Sequence, residues 1–195
     1  KFYSMKTLVF CTSWIGEINE WSARYLKWQA HIAKSGIRHD RVVFIDDGSK
    51  DINHIVNVAL YRVDALPDSI PDDLPLLVSF EEHLGRPSHL NYPGWWRSFL
   101  FAGYLARRYN YQKLVHIESD AFILSDRLSR YINDLDSGWT ALWCPRWHFP
   151  ESAIQIICED QFEKLLTIGS SEPNVFSGHM AEPQLPFTRV EQGFK

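Results

Sequence analysis

Three short apolar runs without polar alternation constrain this chain more than any other feature. They are residues 6–12 (Lys-Thr-Leu-Val-Phe-Cys-Thr), 41–45 (Arg-Val-Val-Phe-Ile) and 113–117 (Lys-Leu-Val-His-Ile). A run of this length with no period of two reads as a strand buried on both faces, and such a strand needs helices above and below it. Those helices are legible. Ile18, Trp21, Tyr25, Trp28 and Ile32 recur three or four apart and stop at Gly36, and a second stripe follows Pro93 through Trp95, Phe99, Ala102, Ala106 and Tyr109. The second ends on Arg107 and Arg108, cations suited to a helix C-terminus. Further strands are expected over residues 140–144 and 153–157, and a helix from Glu159 and Asp160 through Leu166. Residues 64–75 hold three prolines and four aspartates and read as a surface loop. The stretch 169–195 carries no clear assignment. The alternation predicts an α/β fold with a mostly parallel central sheet flanked by helices.

The chain has 195 residues, which fits one domain of about 100–200 residues. Its 45% apolar and 23% charged content excludes intrinsic disorder and collagen-like structure. The net charge of -4 comes from acids and bases interspersed along the chain, with no basic block to neutralise a run of phosphates, so nucleic acid is not an expected partner. No apolar run approaches the ~20 residues that span a bilayer, and the start lacks the layout of a secretory signal. A cytoplasmic protein without a transmembrane segment is the expectation. Cys11, Cys144 and Cys158 are odd in number and far apart, the pattern of reduced, buried thiols. Eight tryptophans exceed what core filling requires, so some are candidates to line a groove.

The chemistry concentrates at strand ends. One strand runs into Asp46-Asp47-Gly48-Ser49 and another into Glu118-Ser119-Asp120, and ligands of parallel sheets bind outside the carboxyl ends of the strands. Carboxylates converging there suit Mg²⁺ or Mn²⁺, the ion that a diphosphate leaving group needs. Each cluster also has a plain structural reading. Asp-Asp-Gly-Ser is a good tight turn, and Glu118-Ser119-Asp120 serves equally as a polar strand exit, with Ser125 and Asp126 capping the next helix. Arg97 sits in a helix's first turn, where a cation faces the positive end of the dipole and calls for an anion. That anion is either a phosphate or a carboxylate from the 64–73 loop or from Glu81 and Glu82.

These segments resemble the GT-A glycosyltransferases, enzymes that move a sugar from a nucleotide-sugar donor. Residues 42–49 (Val-Val-Phe-Ile-Asp-Asp-Gly-Ser) look like the family's nucleotide-contacting strand and turn. Residues 116–124 (His-Ile-Glu-Ser-Asp-Ala-Phe-Ile-Leu) look like its metal-binding Asp-x-Asp segment, with Glu118 standing where the first aspartate is usual. The resemblance implies a nucleotide-binding half over 1–125 and an acceptor-side half over 126–195. It implies a UDP-sugar donor, a glycan or glycoprotein acceptor, hexosyl or deoxyhexosyl transfer, and Mn²⁺ or Mg²⁺ held by Glu118, Asp120 and His179. Thr12 and Ser13 would meet the nucleotide, Asp46 or Asp47 the uracil or ribose hydroxyls, and Ser119 the ribose; capping the following helix is the other use of Thr12 and Ser13. Glu182 is the first candidate for the carboxylate base of an inverting transfer, with Glu191 and Asp160 as rivals, and His148, Trp143 and Trp147 are candidates for the acceptor side. Inverting and retaining outcomes both stay open.

Other chemistries lack their signatures. There is no Gly-x-Gly-x-x-Gly, no Gly-Lys-Ser/Thr and no His-Glu-x-x-His, and only Gly16 lies where a nucleotidyltransferase would carry a glycine-rich loop. The competing expectation from another class is a non-catalytic carbohydrate- or nucleotide-binding module that uses tryptophan platforms.

Overall fold

The computed structural model describes residues 5–71, 73–171 and 173–194. The protein is α/β, built on one eight-stranded mixed sheet in the order β3-β4-β2-β1-β5-β7-β6-β8. The strands are β1 (Thr7–Ser13), β2 (Arg41–Asp46), β3 (Ala59–Arg62), β4 (Leu76–Ser79), β5 (Lys113–Ile117), β6 (Trp139–Cys144), β7 (Phe149–Cys158) and β8 (Arg189–Glu191). Pairings from β3 to β5 are all parallel, β7 is antiparallel to both β5 and β6, and β8 is parallel to β6.

The runs that read as doubly buried are so. Leu8 and Phe10 of β1 point into one core, with Val43, Ile45 and Leu114, while Val9 and Cys11 point into the other, with Phe44, Val115 and Ile117. Strand pleating alone sends successive side chains to opposite faces, so each face needs its own helical cover. The first core is covered by α3 (Pro93–Arg108), through Trp96, Phe99, Ala102 and Leu105, and by α5 (Phe162–Gly169). The second is covered by a continuous helical stretch, α1 (Ile18–Glu20), a π-helical turn (Trp21–Tyr25) and α2 (Leu26–Lys34), together with α4 (Asp126–Asp134). Trp21, Tyr25, Trp28 and Ile32 form the expected buried stripe, and the side chain of Ile18 lies outside the described residues.

The structure corrects or extends several expectations. The sheet is mostly parallel but mixed, because β7 runs antiparallel to both β5 and β6, and the strand expected over 153–157 belongs to the longer β7. The strands β3, β4 and β8 were not anticipated. The loop between β3 and β4 is held by Arg108, whose guanidinium donates to the carbonyls of Leu66 and Pro67. Asp72 in that loop lies outside the described residues. Cys11 and Cys158 are buried, Cys144 is half-buried, and all three are free thiols. Among the described residues, no helix is long and apolar enough to cross a membrane.

Candidate functional site

The chain leaves β2 at one side of β1 and, after β4 and α3, re-enters the sheet at β5 on the other side. The crossing opens a crevice over the carboxyl ends of β1, β2 and β5. Parallel register aligns those ends. Ser13 pairs with Asp46, the Asp47 N–H donates to the Ser13 carbonyl at 2.8 Å, and the Thr12 hydroxyl lies 3.5 Å from the Glu118 carboxylate. A cavity of about 680 Å³ sits on these tips, and Thr12, Ser13, Asp47, Glu118, Ser119 and Asp120 all line it. Glu182 reaches the same wall from the far end of the sequence.

The two adjacent aspartates have different tasks. Asp46 is fully buried and faces away from the cavity. Its carboxylate accepts from the Ser49 N–H at 2.8 Å, the Ser49 hydroxyl at 2.5 Å and the Ser79 hydroxyl at 2.7 Å, which ties the turn to β4. Burial raises its pKa, against the lowering effect of the serine bonds. Of the two aspartates expected at the nucleotide, Asp46 is therefore off the cavity wall, with both carboxylate oxygens bonded to Ser49 or Ser79, and Asp47 is on it. Asp47 lines the cavity, but its carboxylate is seated at the start of α3, where the Gly85 N–H donates to it at 2.8 Å and Arg97 at 2.5 Å. Gly94 permits the approach, since a Cβ there would fall 2.0 Å from the Asp47 carboxylate oxygen.

Arg97 is corrected in the same way. Its guanidinium is taken by Asp47, by the Glu82 carbonyl at 2.5 Å and by the Phe80 ring 4.0 Å away, and it is absent from the cavity wall. The anion that the α3 N-terminus calls for is the protein's own Asp47. The cavity's cations are instead Arg24 and Arg86. Arg24 donates from Nε to the Ser119 hydroxyl at 2.7 Å and stands 3.6 Å from Asp120.

Glu118 receives the Trp95 indole N–H and faces His116, whose Nε2 lies 3.4 Å from its Oε1. Only 20% of its side-chain surface remains open, and burial raises its pKa to about 7, opposed first by the Trp95 bond and aided by the nearby Asp120. His116 is wholly buried, and that burial lowers its pKa to about 3. A neutral imidazole whose Nδ1 meets the Ser152 carbonyl at 3.3 Å carries its proton there, which leaves Nε2 as a bare acceptor turned to Glu118. A protonated Glu118 satisfies that acceptor. Asp120, by contrast, is 76% exposed, and among the described residues no hydrogen bond to its carboxylate is seen and Arg24 stands 3.6 Å away, the state of a carboxylate available to a ligand.

The other expected residues lie elsewhere. His179 is exposed beside the rim. Its carbonyl accepts from the Tyr92 hydroxyl at 3.2 Å, but it does not line the cavity, so the three-ligand set of Glu118, Asp120 and His179 is not assembled. Among the described residues no group of three or more His, Cys, Asp or Glu side chains is poised to hold a metal ion. Asp160 accepts from the Gly138 N–H at 2.8 Å and Glu191 from the Gly193 N–H at 2.6 Å, and neither lines the cavity. Trp143, Trp147 and His148 belong to the β6–β7 hairpin, where Arg146 covers the Trp147 ring and His148 takes a positive φ of 57°, away from the cavity wall. Sequence reasoning missed Trp14, Arg24, Tyr92, Trp95 and Ser152, all on the wall. Of these, Trp14 and Trp95 carried a signal, the excess of tryptophans over what core filling requires. Trp96 takes the core while Trp95 turns to the cavity.

Set against known proteins, the chain matches no family model and no curated sequence.

Proposed function

We propose that this chain is a metal-dependent glycosyltransferase of the GT-A type, taking a nucleotide-diphosphate sugar, with UDP-sugars as the first candidates, and a glycan acceptor. The observation that carries the reading is the meeting of Thr12, Ser13, Asp47, Glu118, Ser119 and Asp120 on one cavity at the sheet's crossing point, with Glu182 on the same wall. Such a crevice is the place where α/β sheets take nucleotides.

The residues present fit a divalent ion that arrives with its substrate. Mg²⁺ and Mn²⁺ sites of this kind use one or two carboxylates plus substrate phosphates and water, so the lack of a third protein ligand does not count against it. Asp120 would be the first ligand and Glu118, once deprotonated, the second. The ion would supply charge neutralisation for the departing diphosphate. The chain's own residues do the rest. Arg24 holds Ser119 and Asp120 in place, Thr12 and Ser13 offer hydroxyls to the nucleotide, and Glu182 takes the proton from the acceptor hydroxyl. In that transfer the acceptor oxygen bonds to the anomeric carbon, and the bond from that carbon to the diphosphate breaks. Its electron pair leaves with the nucleotide.

A binding module built on tryptophan platforms has less support. Trp28, Trp96 and Trp139 are fully buried, and of all the tryptophans only Trp14 and Trp95 line the cavity, Trp95 with its indole committed to Glu118. Calorimetry with UDP, with and without Mn²⁺, on the parent and on Asp120→Ala separates the readings. The transferase reading expects metal-dependent binding that Asp120→Ala weakens by at least about ten-fold, and slow Mn²⁺-dependent hydrolysis of a UDP-sugar without acceptor. Equal, metal-independent binding in both proteins would favour the module.

A further inference from the structure

The β6–β7 hairpin contains an irregularity that sits beside the cavity. Ala141 of β6 pairs with Gln155 of β7, yet the next residue, Leu142, pairs with Glu151, so residues 152–154 face no residue of β6. On its other edge β7 stays in register with β5 as far as Ile154 opposite Ile117, and the Glu118 N–H continues that ladder to the Ala153 carbonyl at 2.8 Å. Bulges of this kind re-aim a side chain and recur next to active sites. Here the re-aimed residue is Ser152.

Ser152 is held from behind and acts forward. Its carbonyl, released from the β6 ladder, accepts from Gln155 Nε2 at 2.8 Å and faces His116 Nδ1 at 3.3 Å. Gln155 is itself fixed by the Trp139 indole N–H at 2.9 Å, and Gln155, His116 and Trp139 are all completely buried. The Ser152 hydroxyl then donates to Glu182 Oε1 at 2.6 Å. Among the described residues this is the one hydrogen bond that the Glu182 carboxylate receives, and Oε2 is left without a protein donor. The preceding residue, Ala181, is anchored in the first core, so the carboxylate's remaining freedom is rotation of its own side chain.

We infer that Ser152 is a positioning residue for Glu182: its hydroxyl locks Oε1, which leaves Oε2 as the atom that takes the acceptor's proton, and the bulge with its buried Gln155 and His116 supports exists to hold that hydroxyl in place. The inference rests on the reading of Glu182 as the base. Tyr92 is a titratable group close to this carboxylate; burial first and then the Glu182 charge raise its pKa, while the Ala181 backbone bond and Arg86 oppose the rise.

The test uses the intact chain with Mn²⁺ and whichever of UDP-glucose, UDP-galactose and UDP-N-acetylglucosamine the parent hydrolyses fastest. Ser152→Ala is expected to lower kcat about ten-fold with KM within two-fold, because a loosened base is misplaced while donor contacts persist. Ser152→Thr, which keeps the hydroxyl, should return kcat to within two-fold of the parent. An unchanged kcat in Ser152→Ala would overturn the inference, and so would a loss that Thr fails to restore. Crystal structures of the parent and Ser152→Ala at neutral pH give a readout that needs no activity. The Glu182 carboxylate should leave its place in the variant, and an unmoved carboxylate contradicts the inference. Should the parent hydrolyse no UDP-sugar, the functional reading fails, while the rotamer comparison still decides what Ser152 does.

Discussion

His116 lies on β5 and Glu118 just past its end, two residues on, and their surroundings push them in opposite directions. Burial raises the glutamic acid from an ordinary 4.5 to about 7 and lowers the histidine from 6.5 to about 3. Linkage gives the signs. The native state takes up a proton at Glu118 between about pH 7 and 4.5 that the unfolded chain does not, so acidification stabilises the fold there. The unfolded chain takes up a proton at His116 between 6.5 and 3 that the native state refuses, so acidification destabilises it. The two trends cancel between about pH 4.5 and 6.5. Glu118→Gln removes one of them, and in that window its stability, relative to the parent, should fall with decreasing pH by up to about 1.4 kcal/mol per unit. Denaturant midpoints measured in EDTA across the window check this. A variant with the parent's pH dependence would show that the two groups do not hold the protonation states assigned to them.

At the level of elements, the junction of β2 with α3 illustrates how a local conflict is resolved. An arginine near the start of a helix is unfavourable alone, and the Asp47 carboxylate seated between Arg97, the fifth residue of α3, and the Gly85 N–H turns it into a clamp. Arg97→Met leaves a nearly buried carboxylate without its cation, a loss of about 3 kcal/mol, and adding Asp47→Asn should recover more than half of it. Equilibrium unfolding of the two single variants and the double variant measures the coupling, and strict additivity would refute the clamp.

The same junction marks what sequence could and could not reveal. The strands β1, β2 and β5 were legible because burial on both faces leaves an uninterrupted apolar run. The strands β3, β4 and β8 have four residues or fewer, too short for any period to register. The antiparallel course of β7 has no signature, since strand direction is set by connection and not by side-chain pattern. Carboxylates at strand tips were readable as a pair of clusters. Which aspartate of Asp46 and Asp47 turns to the cavity depended on the turn through Gly48, whose φ of 73° carries the chain where a Cβ would meet the Glu82 backbone at 2.4 Å. Arg24 and Ser152 acquire their roles only through partners 95 and 30 residues away, and no local pattern encodes such a contact.

For the molecule as a whole, one sheet serves two purposes. Its parallel part presents Thr12, Ser13, Asp47 and the Glu118-Ser119-Asp120 segment at a common edge, and its antiparallel hairpin brings Ser152 to the same cavity, where its hydroxyl meets Glu182. The central claim is that these tips form a single site for a nucleotide diphosphate and its divalent ion. Paramagnetic broadening of the amide NMR spectrum by substoichiometric Mn²⁺, with and without UDP, tests it most directly. The account predicts that UDP makes the broadening selective for Thr12, Ser13, Ser119, Asp120 and the Trp95 indole, and leaves β8 and the hairpin tip at Trp147 sharp. Broadening that ignores UDP, or that centres away from the ends of β1 and β5, would contradict it.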